Sequence, residues 1–144
     1  MRSESSNRPP PAYPGCVARA VPLVLVVDDE PVLLRLLEVN LRVAGFDVRT
    51  AASGRGAVDA AAAEAPDAVV LDLGLPDLDG WEVLERVRRI EGLSATPVIV
   101  LSGLDRDAAA TPDYASDVHA FLTKPVEPAD VVETVRRALA RTGD

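Results

Sequence analysis

From Pro22 onward, short apolar runs alternate with longer stretches in which apolar residues recur every three or four positions. The first run, Leu23–Val27, is apolar throughout, as expected of a strand covered on both faces. Leu33, Leu34, Leu37 and Leu41 follow at helical spacing. Pro31 suits the first turn of that helix and Gly45 its stop, which predicts a helix over 31–44. A second strand is expected at 46–50. Ser53 can cap a helix running through the alanines to about residue 63, and Pro66 prevents its continuation. A third apolar strand falls at 68–71. After a Pro/Gly/Asp loop, Gly80 opens a helix with Trp81, Leu84, Val87 and Arg88 in its register. A fourth strand is expected at 97–101 and a fifth at 120–122. Between them, 105–116 predicts a weak helix, because Pro112 removes a backbone donor from its interior. A last helix runs over about 128–140.

Five strands alternating with five helices predict an α/β fold, a doubly wound five-stranded parallel sheet with helices on both faces. In such sheets the functional crevice lies outside the carboxyl ends of the strands. The first strand ends in Asp28-Asp29-Glu30, the third in Asp72 and the fourth in Ser102-Gly103, and the fifth is followed by Lys124-Pro125. Carboxylates gathered at one sheet edge repel one another unless a cation lies among them. A hard divalent ion such as Mg²⁺ resolves the conflict, since it takes one or two carboxylates and leaves room for phosphate oxygens. Each residue taken alone has a plainer explanation. Asp28 and Asp29 can cap the helix that starts near Pro31, Asp72 and Ser102 can shape turns, and Lys124 can be a solvated surface residue. Together at four strand ends they point to an aspartyl nucleophile, with a metal, a cation and a hydroxyl to hold the oxygens of an incoming phosphoryl group.

The bulk properties narrow the field further. A length of 144 residues suits one domain, and 48% apolar content is enough for a core. The net charge of −8 argues against general nucleic-acid binding. Cys16 is the sole cysteine, which excludes an internal disulfide and a Cys-built zinc site. The run at 23–27 is far short of the roughly 20 residues that span a bilayer, and residues 1–21 lack the apolar centre of a secretion signal. A cytoplasmic protein without membrane insertion is therefore expected. Residues 1–21, rich in Ser, Pro and Arg, are expected to form a mobile tail ahead of the domain at 22–144.

The segments VLVVDDEP, VVLDLGLPDLDGWEVL, VIVLSG and FLTKPVEPADV resemble the receiver domain of bacterial two-component response regulators, of the single-domain, chemotaxis-regulator type. The resemblance covers about residues 22–141. It includes the separations of 43 residues from Asp29 to Asp72, 30 to Ser102 and 22 more to Lys124. It implies a flavodoxin-like (βα)5 fold with strand order 2-1-3-4-5, which the periodicity alone does not supply. It also implies that Asp72 is the phosphoacceptor and Asp29 a direct metal ligand, with Asp28 as a water-mediated or alternate one. The Gly74 backbone carbonyl completes the set for Mg²⁺, or Mn²⁺. Ser102 and Lys124 would hold phosphoryl oxygens, the Lys124–Pro125 peptide would be cis, and Phe121 would be the aromatic that moves inward on phosphorylation. Plain core packing explains Phe121 equally well. The implied donor is a sensor histidine kinase or a histidine phosphotransfer protein. Such a domain assists its own phosphorylation and dephosphorylation but is not otherwise an enzyme.

This chain departs from the family pattern in several places. Pro112 interrupts the expected fourth helix, and Asp117-Val118 stands where Gly-Ala is usual. Both alter the expected receptive surface around the fourth helix, fifth strand and last helix. Gly74 and Leu104 offer no side chain to orient water, which implies slow self-dephosphorylation. His119 is expected to be a turn or surface residue. Trp81 is expected to be half-buried and near enough to the acidic edge to report metal binding. No output domain is expected after the last helix, so output would run through an unknown protein partner, phosphoryl relay or a homodimer, without direct DNA binding. Three alternatives remain open at this stage: a receiver-like module that only binds partners, a flavin or nucleotide binder, and an aspartyl phosphatase.

Overall fold

The computed structural model describes residues 21–103 and 118–142. Five strands, β1 (Leu23–Val27), β2 (Asp47–Ala51), β3 (Ala68–Asp72), β4 (Val98–Ser102) and β5 (Ala120–Thr123), form one parallel sheet in the order β2-β1-β3-β4-β5. The helices are α1 (Pro31–Val43), α2 (Gly54–Ala63), α3 (Gly80–Arg88) and α4 (Pro128–Thr142). This is the flavodoxin-like arrangement. The expected tail at the N-terminus and the helix expected at 105–116, with Leu104, Pro112 and Asp117, lie outside the described residues.

Strand alternation divides the core into two layers. Leu25, Val27, Val69, Leu71, Val98 and Val100 face α2 and α3, where they meet Ala57, Ala61, Val83, Leu84 and Val87. Val24, Val26, Val48, Val70, Ile99 and Leu101 face α1 and α4, where they meet Leu37, Leu41, Val131 and Val135. Every residue of β1, β3 and β4 is buried, which explains why those strands show no polar alternation in sequence.

The first strand has the expected bounds, the other four end one residue later than expected, and β2 and β4 also begin one residue later. The reason for β2 is local. The Phe46 amide donates to Leu41 O and the Gly45 amide to Arg42 O, with Gly45 at φ 106°. This pair of bonds closes the last turn of α1, so Phe46 belongs to the helix stop and pairing starts at Asp47. At the other strand ends the extension is consequential: Asp72 and Ser102 are the last residues of β3 and β4, held in the ladder rather than in loops.

Candidate functional site

Five side chains meet beyond the carboxyl edge of the three central strands and β5. Asp28 follows β1 and is fully buried, while Asp29 and Glu30 are exposed. Asp72 is 3% and Ser102 7% exposed. Oxygen atoms from Asp28, Asp29 and Asp72 lie within 4.8 Å of one another. Lys124, from the turn after β5, reaches back across the sheet edge. Its Nζ lies 3.0 Å from Asp28 Oδ2, 3.2 Å from Asp72 Oδ2 and 3.5 Å from Glu30 Oε1. The contact with Asp72 is a hydrogen bond. The contact with Asp28 is an ion pair without hydrogen-bond geometry, so the buried Asp28 Oδ2 lacks a hydrogen-bond partner among the described residues.

Backbone amides orient the two buried carboxylates. The Glu30 amide donates to Asp28 Oδ1 at 2.8 Å, and the Gly74 amide donates to Asp72 Oδ1 at 3.0 Å. Burial pushes the Asp28 carboxyl above its ordinary value, against the pull of the Glu30 amide and the Lys124 ammonium. Burial works to lower the Lys124 pKa, but Asp28 and then Asp72 outweigh it and hold the ammonium above its usual range.

Asp29, Asp72, Gly74, Ser102 and Lys124 line an open cleft of about 660 Å³, with Trp81 and Asp79 on its wall. Asp28 lies beneath this surface rather than on it. The donor set fits a hard divalent cation. An ion with oxygen ligands at about 2.1 Å holds opposite ligand atoms about 4.2 Å apart, so the carboxylate cluster is already near that size. Asp28 Oδ2, ion-paired with Lys124 but without a hydrogen-bond partner among the described residues, keeps acceptor capacity that a cation or a water can use.

The expected positions therefore converge: Asp28, Asp29, Asp72, Gly74, Ser102 and Lys124 share one edge, and the Lys124–Pro125 peptide is cis. Phe121 is half-buried on β5, packed toward the α2/α3 layer. Its ring centroid lies 6.0 Å from that of Trp81 at an interplanar angle of 57°. Trp81 is 8% exposed, more buried than expected. His119 is half-buried, and its amide donates to Val98 O at the start of the β4–β5 ladder, so the residue serves strand pairing. Two tertiary contacts were not foreseen from the sequence. Gly80 packs so closely that a Cβ there would lie 2.6 Å from Leu73 Cα. Asp77 accepts hydrogen bonds from the amides of Gly54 and Arg55 on α2. The Asp-Gly pair at 79–80 was a visible turn signal, but nothing in the local spacing links Asp77 to residues 23 positions away.

The family model for the response regulator receiver domain matches residues 24–136. The chain belongs to that family. Among curated relatives, this receiver is 43% identical over 119 residues to the transcriptional regulatory protein KdpE of Mycobacterium tuberculosis, covering 83% of this chain and 51% of the relative. It is 35% identical over 122 residues to RpaA of Synechocystis, named as a DNA-binding dual master transcriptional regulator, covering 85% of this chain and 51% of that one. The receiver thus spans about half the length of the curated relatives it matches. Among solved structures, a putative response regulator from Chloroflexus aurantiacus superposes with TM-score 0.75 at 33% identity, covering 83% of this chain and 98% of the other. The chemotaxis protein CheY4 of Vibrio cholerae superposes with TM-score 0.72 at 28% identity, covering 83% and 100%. A receiver is a signalling module of two-component systems, and the family uses an aspartate phosphoacceptor with Mg²⁺. Among the described residues, no helix is long and apolar enough to cross a membrane.

Proposed function

We propose that Asp72 is the phosphoacceptor of this receiver and that Asp29, Asp28, Asp72 and the Gly74 carbonyl hold its Mg²⁺ ion. The observation that carries this reading is the buried Asp28–Lys124–Asp72 arrangement, with three carboxylates within 4.8 Å of one another beside an open cleft. The donor is a phosphohistidine on a sensor kinase or phosphotransfer protein. An Asp72 carboxylate oxygen bonds to phosphorus as the phosphorus–nitrogen bond breaks, and that bond's electron pair leaves with the imidazole.

The residues present divide the work. The Gly74 amide on Oδ1 and the Lys124 ammonium on Oδ2 fix the plane of the Asp72 carboxylate. Ser102, next along β4 from the Leu101 that pairs with Asp72, offers a hydroxyl to a phosphoryl oxygen. Lys124 transfers part of its pairing from Asp72 to the new phosphoryl oxygens. A bound Mg²⁺ supplies the charge neutralisation that lets an anionic donor approach this acidic edge. Phe121 lies on β5, three residues before Lys124, so a shift of Lys124 is felt at its ring. The changed β5 surface is then read by a protein partner or by a second copy of the chain.

Labelling with a small phosphodonor, for wild type and Asp72→Asn, each with and without Mg²⁺, tests the assignment. Mg²⁺-dependent label is expected on wild type and none on the variant. Equal label on Asp72→Asn would move the acceptor elsewhere.

A further inference from the structure

The loop from Leu73 to Asp79 carries the Gly74 carbonyl, so its position decides whether the metal site is complete. Its near end is well held: the Leu73 amide donates to Leu101 O at 3.0 Å and the Gly74 amide to Asp72 Oδ1. Its far end enters α3, with Asp79 accepting from the Trp81 amide at 3.0 Å. The middle, residues 75–78, has one polar anchor to another element among the described residues, and that anchor is Asp77. Asp77 Oδ1 accepts from the Gly54 amide at 2.7 Å, and Oδ2 accepts from the Arg55 amide at 3.1 Å. Both donors are first-turn amides of α2, which have no partner within their own helix. Oδ1 also accepts from the Leu78 amide at 2.9 Å, which stiffens the loop itself.

Packing reinforces the same junction. A Cβ on Gly54 would lie 2.7 Å from Leu78 Cβ and 2.9 Å from Val83 Cγ2. The loop therefore sits directly on the backbone of α2, at a distance only glycine permits. The α2 terminus does not need Asp77 to be capped, because Ser53 Oγ already accepts from the Gly56 amide at 3.0 Å. A second cap, the Asp77 carboxylate contributed from 23 residues away, takes the two remaining first-turn amides and in doing so fixes the loop.

We propose that Asp77 is a positioning residue for the metal site: it clamps the 73–79 loop onto α2 and so holds the Gly74 carbonyl in place. This rests on the assignment of Gly74 as a ligand. Ser53 supplies the control, since it caps the same helix end without touching the loop. In the full chain, Mg²⁺ is titrated against Trp81 fluorescence for wild type, Asp77→Ala, Ser53→Ala and Gly54→Ala. Amide hydrogen exchange over 73–79 is measured in metal-free buffer.

Outer-shell partners of metal ligands are typically worth about 10–100-fold in metal affinity, and a clamp acting through three residues of loop should be worth about 3–10-fold. Asp77→Ala should therefore weaken Mg²⁺ binding by that factor and speed exchange in the loop. Gly54→Ala should do the same with the carboxylate intact, by displacing Leu78. Ser53→Ala should lower thermal stability but leave Mg²⁺ affinity unchanged. Asp77→Asn, which keeps one acceptor oxygen, should recover part of the loss and covers the case in which Asp77→Ala does not fold. Unchanged affinity in both Asp77 variants, or an equal loss in Ser53→Ala, overturns the clamp. If wild type binds no Mg²⁺, the metal assignment itself fails, which is a distinct result.

Discussion

Replacing Lys124 with Met tests the electrostatics of the site most directly. Methionine preserves most of the apolar stem that packs behind the cleft and removes the charge. In its place remain Asp28, with no exposed side-chain surface, and Asp72, with 5%, both facing the position the ammonium held. Two unit charges 4.8 Å apart at an effective dielectric of about 20 repel by roughly 3.5 kcal/mol. Stripping one partner from a buried pair typically costs about 3–5 kcal/mol. The Lys124 side chain is 15% exposed and the cleft admits water, so the low end applies. A loss of about 3 kcal/mol is expected in urea melts at neutral pH with EDTA. Asp28 takes part in the outcome. Its folded pKa lies above the ordinary 3.8, so its ionised form costs stability above that folded value, and the cost fades as pH falls toward the unfolded value. The deficit of Lys124→Met should accordingly shrink on acidification, and it should shrink again with Mg²⁺. At ten times the wild-type Kd, Mg²⁺ stabilises wild type by about 1.4 kcal/mol, and the same concentration should stabilise the variant by more because no ammonium competes for the same oxygens. Adding Asp28→Asn should restore about 2 kcal/mol through direct coupling. A loss under about 1 kcal/mol in EDTA, or an undiminished loss in the Asp28→Asn background, would refute this account.

Three further expectations follow from other parts of the fold. Gly80→Ala places a Cβ 2.6 Å from Leu73 Cα and 3.1 Å from Asp72 O, so the backbone beside the acceptor must move. Chemical denaturation should show a loss of about 1–3 kcal/mol, and phosphorylation per folded molecule should fall; wild-type labelling would show that the shift spares Asp72. Asp77 is held below the ordinary carboxylate value by the Gly54 and then the Arg55 amides, so its ionised form stabilises the protein above pH 3.8 and that contribution disappears as pH falls through the folded pKa. The difference in Tm between wild type and Asp77→Asn should be full near neutrality and vanish in strong acid; a difference independent of pH would contradict it. Loss of the phosphoryl group from Asp72 should be slow, since Gly74 brings no side chain to orient water, and a lifetime of seconds in a phosphate-release assay would count against that expectation.

Much of this architecture is visible in the unaligned chain for a simple reason. Strands buried on both faces are apolar at every position, so 23–27, 68–71 and 98–101 stand out without any periodicity, and the polar residue that ends each run marks the sheet edge. Asp28, Asp72 and Ser102 are legible because the chemistry begins where the apolar run stops. Depth is not legible in the same way. Asp28 and Asp29 are adjacent and identical in type, yet one is buried under the Lys124 ammonium and the other is exposed, because successive residues leaving a strand point in opposite directions. The Asp77–Gly54 contact is equally silent in sequence, since it joins a loop to the start of α2, which only the folded sheet brings together. The strand order came from family resemblance rather than from pattern, because apolar runs specify burial and not neighbours.

The half-buried lysine also offsets part of the charge gathered in this cluster. Three carboxylates and one ammonium leave the edge two charges negative, with Asp29 exposed to water and Asp28 paired to Lys124. A divalent cation balances that remainder with Lys124 still in place. On the proposed assignment, phosphorylation of Asp72 adds one further negative charge, and the least expensive response is for the ammonium to follow it toward the new oxygens. Lys124 is the first residue after β5, two positions from Leu122 and three from Phe121. On the same assignment, a rearrangement forced by charge at the cleft is delivered to β5, whose apolar residues Ala120, Phe121 and Leu122 are half-buried.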